Sequence, residues 1–123
     1  LRGAVAAFGV RRLISQPTEH PSVRGALRAL EAEGLPVTWL PVDGDGRVRP
    51  DELRGALAAG SRPALVSLMH ANNETGVLQP VADAAALARA VGARLHVDAV
   101  QSARHLDVRP AALGADLVVL TAH

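Results

Sequence analysis

The stretch that most constrains the fold is Ala64-Leu65-Val66-Ser67-Leu68-Met69, an almost unbroken apolar run. A strand with one wet face alternates apolar and polar residues; a run that does not alternate is covered on both faces. Sheets covered on both faces are built from parallel strands joined by helices. The rest of the chain has the pattern this requires. Val10 to Ile14, Val37 to Leu40, Leu95 to Val97 and Leu117 to Leu120 read as further strands. Amphipathic stretches lie between them. Pro21 to Glu33 reads as a helix, with Pro21 in its first turn, Val23, Leu27 and Leu30 on one face, and Gly34 as its stop. Pro50 to Ala59 reads as a short helix ended by Gly60. Pro80 to Val91 reads as a helix with Val81, Ala84, Ala85, Ala88 and Val91 inward. Asp43 to Gly46 is a turn. The alternation predicts one α/β unit, a mostly parallel sheet flanked by helices, with no internal repeat or linker.

Composition narrows the function classes. The chain has 123 residues, enough for one domain, and 49% of them are apolar but only 2% aromatic. The core must therefore be Ala, Val and Leu packing. The net charge is +1 and the basic residues are scattered, which argues against a nucleic-acid surface. There is no Cys, so no disulfide. The apolar runs are far shorter than a membrane span. A soluble cytoplasmic protein without nucleic-acid or membrane partners is the expectation.

The polar residues fall in a pattern. His20 follows the first strand, Asn72 and Asn73 the Ala64 strand, Asp98 the Leu95 strand, and Thr121 and His123 the Leu117 strand. All lie just past carboxyl ends of strands, where open α/β sheets bind ligands. The spacing predicts one shared site. Each residue also has a plainer reading. Asp98 can pair with a buried cation or cap the next turn. His20 can stack on a flat ligand and act as acid or base, or simply start a helix. Asn72 and Asn73 can donate to a ligand or hold a turn. Thr18 and Glu19 read as local caps, and Glu74 as a group orienting the Asn loop. Asp43 and Asp45 resemble half a calcium loop without its closing acid, so the turn reading is preferred. His70, His96 and His105 show no metal spacing; His96 alternates with core residues and reads as a satisfied sheet histidine. Arg104, Asp107 and Arg109 read as a solvated connection.

The stretches TEH (Thr18 to His20), HANNETG (His70 to Gly76) and HVDAVQS (His96 to Ser102), closed by GADLVVLTAH (Gly114 to His123), resemble the cofactor-binding core of the cysteine desulfurase and selenocysteine lyase family, within the class V aminotransferases. Each block alone is weak; in this order and with these gaps they are specific. The ANNETG form looks more like the group of NifS-like desulfurases and selenocysteine lyases than the second desulfurase group. The resemblance implies the large domain of the fold-type I enzymes that bind pyridoxal phosphate. It implies that Asp98 pairs with the cofactor's pyridinium nitrogen, so that the ring serves as an electron sink. Gln101 and Asn73 would support the ring near its phenolic oxygen, His20 would stack over it, and Thr121 and His123 would hold its phosphate. The family more often has Ser where Thr121 stands, and a second phosphate-binding stretch normally lies upstream of what is present.

In the family the residue after this His is the lysine that carries the cofactor. All 13 basic side chains here are Arg, so the chain has neither that lysine nor a nucleophilic cysteine. The expectation is a partial large domain over residues 1–123, cut at both ends and inactive alone. The whole protein would convert L-cysteine to L-alanine and an enzyme persulfide, as a homodimer passing sulfur to an acceptor protein. Alternatives are a selenocysteine lyase acting on L-selenocysteine, another class V member, or a non-catalytic α/β domain. The isolated chain is expected to be marginally stable, with open strand edges.

Overall fold

A computed structural model describes residues 1–60, 63–72, 76–103 and 106–120. Five strands form one parallel sheet in the order β2-β1-β3-β4-β5. They are β1 (Arg12–Ser15), β2 (Val37–Trp39), β3 (Ala64–Met69), β4 (Arg94–Asp98) and β5 (Leu117–Val119). The helices are α1 (Arg2–Phe8), α2 (Pro21–Ala32), α3 (Pro50–Ala58), α4 (Val81–Ala90) and α5 (Pro110–Leu113). β3 is buried along its whole length, as its unbroken apolar sequence requires.

Side chains alternate across the sheet, and the two faces differ. Ile14, Val66, Leu68, Leu95 and Val97 point to one face, where α3, α4 and α5 add Leu53, Leu57, Ala84, Ala88 and Leu113. Leu13 and Leu65 point to the other, where they meet Leu27 and Leu30 of α2 and Val5 and Phe8 of α1. On that second face Ser15 follows Leu13 along β1, and Ser67 and then Met69 follow Leu65 along β3. Ser67 and Met69 are in register with His96 and Asp98. Along β1 and β3 the second face thus passes from Leu13 and Leu65 to Ser15 and Ser67, and β4 adds His96 and Asp98 toward its carboxyl end.

Two helices were not foreseen. α1 has no capping side chain and no acidic residue in its first turn, so its sequence gives no start signal. Its end at Gly9, in left-handed geometry (φ 61°), keeps Val10 out of β1. The first strand thus starts at Arg12 rather than Val10. α5 spans only four residues, too short for a period to show. No described helix is long and apolar enough to cross a membrane.

Candidate functional site

β1 leads into α2 on one face of the sheet, and β3 leads into α4 on the other. Where neighbouring connections diverge in this way, a crevice opens beyond the carboxyl ends of the strands. In this chain Glu19 occupies it. Its side chain is 2% exposed. Oε2 accepts the Met69 N–H at the end of β3 (2.7 Å) and a bond from Gln16 Nε2. Oε1 is buried without a hydrogen-bond partner among the described residues. Burial, and secondarily the negative charge of Asp98, push the Glu19 carboxyl up to about 8. Gln16 in turn holds the loop: its Oε1 accepts from the Thr18 N–H (2.6 Å) and from the Thr18 hydroxyl.

The reading of Glu19 as a local cap is thereby corrected. The cap of α2 is His20, whose Nδ1 accepts the Ser22 N–H (3.1 Å) and lies 2.7 Å from the Ser22 hydroxyl. Because Nδ1 accepts, the neutral ring carries its proton on Nε2. Glu19 was missed because a Glu just before a helix looks local, whereas its backbone partner lies 50 residues away in sequence.

Beside the filled crevice, on the α2 face, lies a pocket of about 170 Å³ lined by His20, Met69, Asp98, Val100, Gln101 and Val119 among others. Asp98 ends β4 and is 7% exposed. Its Oδ1 accepts the Val100 N–H (3.1 Å), so the turn-capping reading holds for one oxygen. No cation among the described residues pairs with this carboxylate. Gln101 is exposed on the following turn. That turn is tied to β3 by His70, whose Nδ1 lies 2.8 Å from the Ser102 hydroxyl. Burial lowers the pKa of His70.

The structure thus brings His20, Asp98 and Gln101 to one pocket. Asn73, Thr121 and His123, with Glu74, Arg104 and His105, lie outside the described residues. Asn72 does the loop work: its N–H donates to Val77 O (3.0 Å), its O accepts from Gly76 (2.8 Å), and its amide reaches Thr18 O (3.3 Å). His96 is a sheet histidine as read: it is 3% exposed, with Nδ1 2.9 Å from the Ser67 hydroxyl. Burial pushes it down to about 4. Asp43 makes the expected turn, accepting from Asp45 and Arg47 backbone N–H groups.

A family model described as aminotransferase class-V matches residues 9–123. The chain belongs to the class-V aminotransferase family. Among curated relatives, cysteine desulfurase IscS of Anaeromyxobacter sp. (strain Fw109-5) is 44% identical over 113 residues, covering 92% of this chain and 28% of the relative. Among solved structures, a NifS-like protein superposes with a TM-score of 0.87 at 32% identity, covering 99% of this chain and 34% of that one. A structure of SspA in complex with cysteine gives a TM-score of 0.83 at 30% identity, covering 94% of this chain and 33% of that one. The chain therefore spans about a third, or less, of the class-V proteins it matches. The family is pyridoxal-phosphate dependent.

Proposed function

We propose that this chain is part of the large, cofactor-binding domain of a pyridoxal-phosphate-dependent cysteine desulfurase. The observation that carries the reading is Asp98. It is a buried carboxylate at the end of a core strand, facing a pocket, with one oxygen committed to a turn and no cation paired with it among the described residues. A group with that need fits a protonated heteroaromatic nitrogen. The same pocket carries an imidazole and an amide, which fit the face and the polar edge of such a ring. Bound pyridoxal phosphate would supply an electron sink for the electrons released when a bond to an amino acid's α-carbon breaks.

The chain's own residues would do the following. Asp98 would hold the ring nitrogen protonated by its charge. His20 would lie against the ring, and its Nε2, the nitrogen not engaged by Ser22, would be the atom able to give or take a proton. Gln101 and Asn73 would donate to the ring oxygen, and Thr121 and His123 to the phosphate. Apart from the described pocket these roles rest on the family resemblance. The lysine and the sulfur-carrying cysteine would come from elsewhere in a longer homodimeric protein, with a sulfur-accepting protein as partner. L-Cysteine is favoured over L-selenocysteine as substrate because a structural relative was solved with cysteine. The absence of Lys and Cys from this chain is what favours a non-catalytic domain instead.

The codon after that of His123 in the gene separates these readings. Lysine there, with a cysteine further on, supports the desulfurase; a stop or another residue overturns it. For the chain itself, equilibrium dialysis against pyridoxal phosphate should show retained cofactor, and its absence would overturn the pocket assignment.

A further inference from the structure

The carboxyl of Glu19 is nine-tenths or more buried and joins two segments distant in sequence. It lies on the loop between β1 and α2, and it accepts the backbone N–H of Met69, the last residue of β3. Met69 lines the pocket, and so does His20, the residue next to Glu19. Gln16 bonds to the same carboxylate oxygen and braces the loop from its other end. His20 is exposed, and its described side-chain partners are both on Ser22, within α2 itself. Its own contacts thus orient the ring on the helix but do not anchor the helix start over the sheet.

We propose that Glu19 is the positioning residue of this pocket: its carboxyl pins the β1–α2 loop to the end of β3 and thereby fixes where the His20 ring stands relative to Asp98. The geometry explains why an acid occupies a dry crevice at the switch point. One acceptor oxygen takes two donors from two segments, which an apolar side chain cannot do. The other oxygen has no partner among the described residues, so the arrangement is not one that core stability alone would favour. Burial and Asp98 both favour the protonated acid there, which removes the cost of a second negative charge beside Asp98. A glutamine mimics that neutral form, with an oxygen for Met69 and Gln16. By filling the crevice, Glu19 also leaves the neighbouring surface over β4, where Asp98 lies, as the open pocket. The inference rests on the cofactor reading only for the purpose of the His20 ring; where the ring stands can be measured without cofactor.

The test compares the chain with Glu19→Gln and Glu19→Leu by NMR, following the through-space contacts that the His20 ring makes in the unsubstituted chain with the other residues lining its pocket. Glu19→Gln should keep these contacts. Glu19→Leu should lose them while backbone signals of the α3/α4 face stay in place. Pyridoxal phosphate affinity should then fall roughly tenfold in Glu19→Leu and less than about twofold in Glu19→Gln. The proposal is overturned if Glu19→Leu keeps the ring contacts, or if Glu19→Gln loses them as fully as Glu19→Leu does. Should Glu19→Leu fail to fold, Glu19→Asp, one methylene short of Met69, decides in the same way: lost contacts support the proposal and kept contacts overturn it. Absence of pyridoxal phosphate binding in the unsubstituted chain would instead overturn the cofactor reading, and the ring contacts would still decide the role of Glu19.

Discussion

Buried ionisable groups sit at both ends of this sheet, and they are treated differently. At the amino end, Arg12 opens β1 and is 5% exposed. Its guanidinium reaches across to the end of α3, donating to Ala56 O (2.8 Å) and Leu57 O (3.1 Å). A cation at a helix carboxyl end satisfies orphan carbonyls and complements the helix dipole. Gly60, at φ +83°, lets the side chain pass, since a Cβ there would lie 3.2 Å from Arg12 Nε. At the carboxyl end, among the described residues, Glu19 keeps one oxygen without a partner and Asp98 pairs with no cation. The difference separates a charge that closes a fold from two carboxyl groups, one filling a crevice and one lining a pocket, whose bonding capacity is only partly used. Buried polar groups are normally satisfied, so these exceptions agree with the proposed site at the carboxyl end.

The largest expected effect tests the closed end. Arg12→Met keeps much of the volume but removes both bonds to α3. Chemical denaturation should show a loss of roughly 3 kcal/mol, as expected when charge-assisted bonds to helix-end carbonyls are removed. The His20 ring contacts should not move. A shifted ring would mean that the two ends are mechanically coupled and would break the comparison.

The next effect comes from pH, and it sets two buried groups against each other. Glu19 rises from an ordinary 4.5 to about 8 in the folded chain, so between these values the folded state holds the extra proton. Its contribution is present below 4.5 and is lost as pH rises toward 8. His96 falls from an ordinary 6.5 to about 4, so there the unfolded state holds the extra proton. Its contribution is present above 6.5 and is lost as pH falls toward 4. Between 4.5 and 6.5 the slopes of Glu19 and His96 oppose each other, and the lowered pKa of His70 adds to the His96 side. Above 6.5 only Glu19 acts, and stability should fall by on the order of 2 kcal/mol by pH 8. Thermal midpoints measured across that interval should decline in the unsubstituted chain and stay level in Glu19→Gln. An equal decline in both would mean that Glu19 is ionised in the fold at neutral pH.

Much of this architecture was legible before any coordinates. The run from Ala64 to Met69 required a strand covered on both faces, and the Pro starts and Gly stops framed α2 and α3. Placing polar residues past strand ends put His20 and Asp98 at one site by spacing alone, and the family resemblance added Gln101; all three line one pocket. Three things were not legible. α1 has neither cap nor acidic first turn, and α5 is a single turn. Glu19 reads as local because its meaning depends on which strand lies beside β1. Strand order is a tertiary property, and the sequence pattern gives the strands without their neighbours.

Asp98→Asn addresses the open end. The amide keeps an oxygen for the Val100 N–H, so the turn should survive and the thermal midpoint should change little. What is lost is the charge facing the pocket. Pyridoxal phosphate affinity should fall about tenfold, equivalent to ~1.4 kcal/mol. Unchanged binding in dialysis would show that the open carboxylate has no part in holding a ring, and the comparison would then reduce to incomplete satisfaction at one edge.

The smallest expected effect concerns a charge pair that looks good on geometry alone. Arg2 of α1 makes a two-pronged contact with Glu33, just past α2, at 2.8 and 2.7 Å, yet the side chains are 65% and 55% exposed. If desolvation rather than geometry sets the worth of a charge here, Arg2→Gln should leave the thermal midpoint within about 1 °C of the unsubstituted chain. Packing of Val5 and Phe8 against the cluster of Val10, Leu13, Leu27 and Leu30 would then be what holds α1 in place. A fall of several degrees would mean that the pair, not the apolar contact, anchors α1. Geometry would then outweigh burial on this face, and the contrast between Arg12 and Asp98 would need an explanation other than desolvation.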